Sequence, residues 1–158
     1  MTDASTPAGE SLELLAINEE TVGRLYSAYA DRFPESRDFW RSLAQQERGH
    51  AASIRTLKDQ YDGGRLRVSP DRFKAAAIRL SIKHTEAEID TATSAYMKPV
   101  NALSIAAAIE QSLLEARFFD VFGNDSLEIS QLLQKLSDDT REHARVILER
   151  WRQAKSDR

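Results

Sequence analysis

Four long stretches of this chain set apolar side chains three and four residues apart, and each interrupts the pattern with an ionisable residue. Positions i, i+3, i+4 and i+7 share one face of an α-helix, so the pattern is that of helices lining a common apolar interior. The first stretch runs Leu12, Leu15, Glu19, Val22, Tyr26, Tyr29 and Phe33 and is ended by Pro34. The second runs Trp40, Leu43, Glu47, His50, Ile54, Leu57 and Tyr61 and closes at Asp62-Gly63-Gly64. The third starts near Pro99 and carries Leu103, Ala107, Glu110, Leu114 and Val121 inward, with Phe118 and Phe122 alongside, up to Gly123-Asn124-Asp125. The fourth runs from about Ser126 to Lys155 with Ile129, Leu132, Leu133, Leu136, His143, Val146, Ile147 and Trp151 on its stripe. The long segments lack the period of two that marks a strand, so the fold class is all-α.

Short links join the first helix to the second and the third to the fourth, which predicts two antiparallel hairpins. Between the hairpins lie some 35 residues that open a helix at Ser69-Pro70, an N-cap and first-turn pair, and then turn Thr- and Ser-rich up to Pro99. They read as a long crossover between helices 2 and 3 containing a short helix, the connectivity of an antiparallel four-helix bundle with one long link. Residues 1–9, MTDASTPAG, are small and polar and are expected to be a flexible arm before a single domain spanning 10–158. A length of 158 residues with 41% hydrophobic composition supports one core without staples. Zero Cys excludes disulfides, thiol catalysis, and cysteinyl zinc or iron–sulfur sites. A net charge of -3 argues against a nucleic-acid partner. The lack of a run of ~18 apolar residues, or of a basic-then-apolar leader, argues against a membrane and for a cytoplasmic address.

Burying an unpaired charge is too costly to be incidental, so Glu19, Glu47, His50, Glu110 and His143 on inward seams require compensation. Level along the helices tests whether they can meet. Glu19 lies 14 residues before Phe33 and Glu47 lies 11 after Ser36, which at ~1.5 Å per residue puts both roughly 17 to 21 Å from their turn. Glu110, 12 residues before Phe122, and His143, 17 after Ser126, lie roughly 18 and 26 Å from theirs, a looser match. Three carboxylates and two imidazoles suit iron or manganese first and zinc next. Glu47-x-x-His50 puts both donors on one helix face, as in carboxylate-bridged di-iron bundles. The competing reading is a salt-bridged core, with Arg117 one helix repeat beyond Glu110 as the nearest candidate counter-ion.

The segments EETVGRLYSAYA, LAQQERGHAASI, AIEQSLLEARFF and DDTREHARVI resemble the rubrerythrin-type di-iron domain of the ferritin-like superfamily, over roughly residues 10 to 155. The resemblance implies Glu19 and Glu110 as single-carboxylate ligands, Glu47 and His50 as the first ligand pair and His143 as the imidazole of the second. It selects Glu19 over Glu20 because a Tyr, here Tyr26, follows seven residues later; the seam periodicity selects Glu19 independently. Thr140 stands where the family pattern has a Glu, and Asp139, on the same face as His143, is a partial replacement. The implied cofactor is two irons, or one iron with a weak second site, with Mn or Zn as alternatives. The implied activity is oxidation of the reduced metal by peroxide or dioxygen, or oxidation of Fe(II) itself. Without a rubredoxin, turnover would draw electrons from an external donor protein or from fresh Fe(II). A homodimer is implied by family likeness. The alternative is a non-catalytic helical scaffold, for interaction or metal sensing, with a degenerate site.

Three other features carry less chemistry. Tyr26 is either a group beside the metals or a packed ring with its hydroxyl at the edge. His84 lines up with Phe73, Ala77, Leu80 and Ala87 and is expected to pack. Arg65, Arg67, Arg72, Lys74, Arg79 and Lys83 read as a solvated basic face.

Overall fold

A computed structural model of the chain describes residues 7–68, 75–115, 122–123 and 126–156. Five helices make up nearly all of it: α1 (Pro7–Arg32), α2 (Arg37–Asp62), α3 (Ala75–Ser94), α4 (Pro99–Glu115) and α5 (Leu127–Ser156). Two short strands, β1 (Arg67–Val68) and β2 (Phe122–Gly123), pair antiparallel with Arg67 opposite Gly123 and Val68 opposite Phe122.

The helix ends follow local chemistry. Pro34 removes a backbone donor and pushes Phe33 out of helical conformation, to φ -121° and ψ 79°. After a single 3-10 turn, Pro34–Ser36, the chain reverses into α2. At the far end of α2, Gly64 takes φ 76°, where a side chain would be strained. Its N–H donates to Tyr61 O at 3.0 Å, and the Arg65 N–H donates to Gln60 O at 2.9 Å, the paired bonds of a Schellman stop. Ser126 Oγ accepts from the Ile129 N–H at 3.4 Å at the start of α5.

Helix α1 packs against α2 and α3, α4 against α5, and α2 against α5. The interior is built in three levels. One apolar cluster joins Val22 through Phe33 of α1 with Trp40, Leu43 and Ala44 of α2, Ala102, Leu103 and Ala106 of α4, and Ile147 of α5. A second joins Leu12, Leu15 and Ala16 with Ala51, Ile54 and Leu57, and with Ile129, Leu133 and Leu136. The sequence order of the two clusters reverses from α1 to α2, and between them α1, α2, α4 and α5 place buried polar residues: Glu19, Glu47 with His50, Glu110, and Thr140 with His143. The seam residues expected inward on α1 are buried without exception from Leu12 to Phe33. Above the polar level Trp40 contacts Tyr29 and Tyr26 at ring-centroid distances of 4.9 and 5.5 Å. Such contacts contribute ~0.5–1.5 kcal/mol each beyond the area they bury.

Four expectations need correction. The segment between the hairpins holds a 20-residue helix, not a short one. Its buried face is Ile78, Ile82, Thr85 and Ala92, so His84, Ala77 and Ala87 are exposed and Leu80 is 54% exposed. The β-branched residues won the phase because they fill the groove on α1, where Ser81 Oγ also donates to Asn18 Oδ1 at 3.0 Å. The third long helix does not run to Phe122, which pairs in β2 instead. The first helix begins at Pro7, so residues 7–9 are not part of an arm. Residues 1–6, the Ser69-Pro70 start, Arg72, Phe73, Lys74, Arg117, Phe118 and Val121 lie outside the described residues. Arg65, Arg67, Arg79 and Lys83 are exposed, as a solvated basic face requires. Among the described residues no helix is long and apolar enough to cross a membrane.

Candidate metal centre

The polar level gathers the residues singled out from sequence. Glu19, Glu47, His50, Glu110 and His143 expose 4, 1, 5, 0 and 1% of their surface. Glu47 stands at the centre. Its Oε1 lies 2.9 Å from His143 Nδ1, and its Oε2 lies 3.4 Å from His50 Nδ1 without making a hydrogen bond. One carboxylate oxygen therefore faces each imidazole. The two rings are stacked with centroids 5.1 Å apart. Glu110 Oε1 is 3.8 Å from His143 Nδ1 and accepts a 2.7 Å hydrogen bond from the Tyr26 hydroxyl, which ties α4 to α1. The Glu19 carboxyl adjoins that of Glu47. Donor atoms of Glu47, His50 and His143 lie within 4.8 Å of one another, close enough to share a cation.

The outer nitrogen of each imidazole is held by a residue of the other helix of the α2–α5 pair. His143 Nε2 is 2.5 Å from Gln46 Oε1, and Gln46 immediately precedes Glu47. His50 Nε2 is 3.3 Å from Asp139 Oδ2, and Asp139 immediately precedes Thr140. These contacts orient both Nδ1 atoms toward Glu47, as metal-binding imidazoles require of their supporting partners. Asp139 thus stands at the rim, its side chain 31% exposed and paired with Lys135 Nζ at 2.7 Å, rather than among the interior carboxylates. Thr140 faces the interior, where its hydroxyl donates to Leu136 O at 2.8 Å. Sequence reasoning missed Gln46, an exposed residue off the seam; its adjacency to Glu47, repeated by Asp139 and Thr140, was the available signal.

Proximity perturbs every group. Burial, then the Glu47 and Glu110 charges, hold the Glu19 carboxyl well above the usual carboxylate range. Burial and Glu47 push Glu110 up to about 7, against the opposing pull of His143 and Tyr26. Burial would raise Glu47 too, but hydrogen bonding to Glu19 and His143 and the contact with His50 overcome it and hold this carboxylate well below its usual range. Burial opposes the charge on His143, yet Glu110 and Glu47 raise it to about 10. Burial and the neighbouring carboxylates also raise the Tyr26 hydroxyl. Near pH 7 the metal-free site therefore holds Glu47 as an anion and His143 as a cation, and Glu19 is biased toward its protonated form.

This self-neutralisation is incomplete in hydrogen bonding. Buried Oε2 atoms of Glu19, Glu47 and Glu110 have no partner, three acceptors from three helices on one level. Orphaned buried acceptors are rare and costly. No guanidinium or ammonium among the described residues is paired with these glutamates; Glu47 and Glu110 pair with imidazoles. Once ionised, these carboxylates are acceptor-only, and beside two imidazoles they fit a divalent cation and fit poorly with anything that must itself accept.

No known protein family, curated protein or solved structure matches the chain. The site stands on its geometry: a helical protein whose buried Glu/His cluster is compatible with a di-iron site.

Proposed function

We propose that this chain is a rubrerythrin-like, ferritin-type four-helix bundle, with α3 in its crossover, that binds iron through Glu19, Glu47, His50, Glu110 and His143 and uses it in oxidation–reduction chemistry. One observation carries the reading: ionisable groups from four helices meet between two apolar clusters and leave three carboxylate oxygens without a partner. When bound, iron would supply one-electron reduction of peroxide or dioxygen, or would itself be the Fe(II) oxidised. This chain's own residues supply charge, orientation and exclusion of water. Glu47 presents an oxygen toward each imidazole, Gln46 and Asp139 fix the rings, and the Tyr26 hydroxyl fixes Glu110. Mn or Zn would satisfy the same donors.

Charge arithmetic bears on nuclearity. Three ionised carboxylates balance one Fe(III), whereas two Fe(II) would leave one positive charge buried. A Glu at position 140 would have cancelled that charge, and Thr140 cannot. The donor set therefore favours one firm position around Glu47, His50 and His143 with a weaker second one beside Glu110. With no Cys in the chain, electrons for repeated turnover would come from an external donor protein or from further Fe(II). A homodimer in the cytoplasm belongs to the same proposal.

The test is metal analysis of the purified protein, anaerobic Fe(II) titration, then exposure to peroxide or air. Saturable binding of one to two irons with oxidation faster than that of free Fe(II) is expected; no binding refutes the reading. The second reading, a helical scaffold with a degenerate site, is favoured by Thr140 being turned back onto its own helix. It predicts no bound metal and no loss of stability on Glu47→Ala.

A further inference from the structure

The cluster is sealed by apolar levels on both sides, so a cation needs a way in between the helices. A cavity of about 210 Å³ between α2 and α5 reaches the polar level at His50, and its lining also includes Gly49, Ser53, Lys135 and Asp139. At ~30 Å³ per water it has room for roughly seven waters, the scale of a hydrated cation. The His50 ring is the wall between cavity and cluster, with Nε2 on the Asp139 side and Nδ1 on the Glu47 side.

Gly49, in the lining, bears on how the cavity stays open. A glycine inside a helix costs ~1 kcal/mol relative to Ala, and packing usually explains it. For Gly23 of α1 packing does: a Cβ there would sit 3.3 Å from Ala44 O and 3.4 Å from Glu47 Cβ. For Gly49 of α2 it does not, since a Cβ would meet nothing within 4 Å. Gly49 is exposed and is one of the residues that line this cavity.

We propose that this cavity is the port through which a hydrated divalent cation reaches the interior cluster, with Gly49 keeping its mouth open and Asp139 as the first carboxylate the cation meets. The inference rests on the metal-binding reading above and adds the route. Asp139 is the rim carboxylate in contact with a cluster residue. Its bond to His50 is long, 3.3 Å, and its bond to Lys135 is short, 2.7 Å. A cation arriving at Asp139 competes with the Lys135 ammonium and frees the His50 ring to swing toward it. Lys135, 71% exposed, slows cation approach by repulsion.

The test is Co(II) loading of the metal-free protein, followed by stopped-flow absorbance, with final stoichiometry measured separately. Gly49→Leu and Ser53→Leu each fill the mouth from a different turn of α2, and either one suffices if the other loses its helical circular dichroism. The expected result is a bimolecular loading rate at least tenfold slower at unchanged stoichiometry. Lys135→Gln should load ~2–5-fold faster at low ionic strength, a gain that closes at high salt. Wild-type loading rates in the folded leucine variants overturn the port while leaving the metal site standing. A wild-type protein that takes up no Co(II) refutes the metal-binding reading itself.

Discussion

Replacing Glu110 by Gln should change the stability of the metal-free protein by an amount that depends on pH, and the structure sets its size. In the unfolded chain Glu110 releases its proton near 4.5, whereas burial and Glu47 hold the folded carboxyl protonated up to about 7. Between those values the folded state binds more protons, so stability falls as pH rises and stays lost above the window. At about 1.36 kcal/mol per pH unit the loss is about 3 kcal/mol. Gln does not titrate and escapes it. Its amide adds a buried donor that costs ~1–3 kcal/mol, but that cost is independent of pH and cancels when the variant is compared with wild type at two pH values. The neighbours facing Glu110, namely Tyr26, Glu19, Glu47 and His143, are common to both proteins. Urea unfolding in chelator from pH 4.5 to 7.5 should show Glu110→Gln gaining about 3 kcal/mol on wild type across the window. With saturating metal the order should reverse at pH 7.5, because the amide brings no charge to the cation. A variant-to-wild-type difference that is flat with pH would refute the electrostatic account of the site.

Three further outcomes follow from the same geometry. Metal binding must displace the proton held by His143, whose value is raised to about 10, so calorimetry at pH 7 in buffers of different ionisation heat should show about one proton or more released and affinity that weakens on acidification. A pH-independent affinity would contradict this. Gly23→Leu should destabilise by ~1–3 kcal/mol, because its side chain must enter the contact with Ala44 and Glu47, whereas Gly49→Ala should stabilise by ~1 kcal/mol; equal effects in urea unfolding would contradict the packing described. Tyr26→Phe removes a hydroxyl that favours the ionised Glu110, so it should move the upper end of the pH window above 7 and cost ~1–3 kcal/mol at alkaline pH, read from the same urea titrations.

What the sequence disclosed depended on how strongly each residue is tied to a periodic face. The ionisable residues on the seams were visible because each interrupts an apolar run, and all of them are buried on one level. The third long helix reads in sequence as far as Phe122, whereas that residue belongs to the β1–β2 ladder. A two-residue pairing between residues 54 and 56 positions apart leaves no local signal. Helix α3 was hidden by its Thr and Ser content, yet Thr85, Thr91, Thr93 and Ser94 each return the side-chain hydroxyl to a carbonyl four residues back and so remain compatible with the helix. Asp139 was legible as a neighbour of the site but not its direction, because one residue from Thr140 turns it about 100° off the seam and toward the rim. Gln46 escaped for the same reason.

The most direct test is anomalous diffraction from crystals of the protein loaded with Co(II) or Fe(II). The account predicts a peak about 2.0–2.3 Å from donor atoms of Glu47, His50 and His143, with any second, weaker peak on the Glu110 side. Peaks confined to surface carboxylates, with the interior glutamates and imidazoles bonded only to one another, would contradict it.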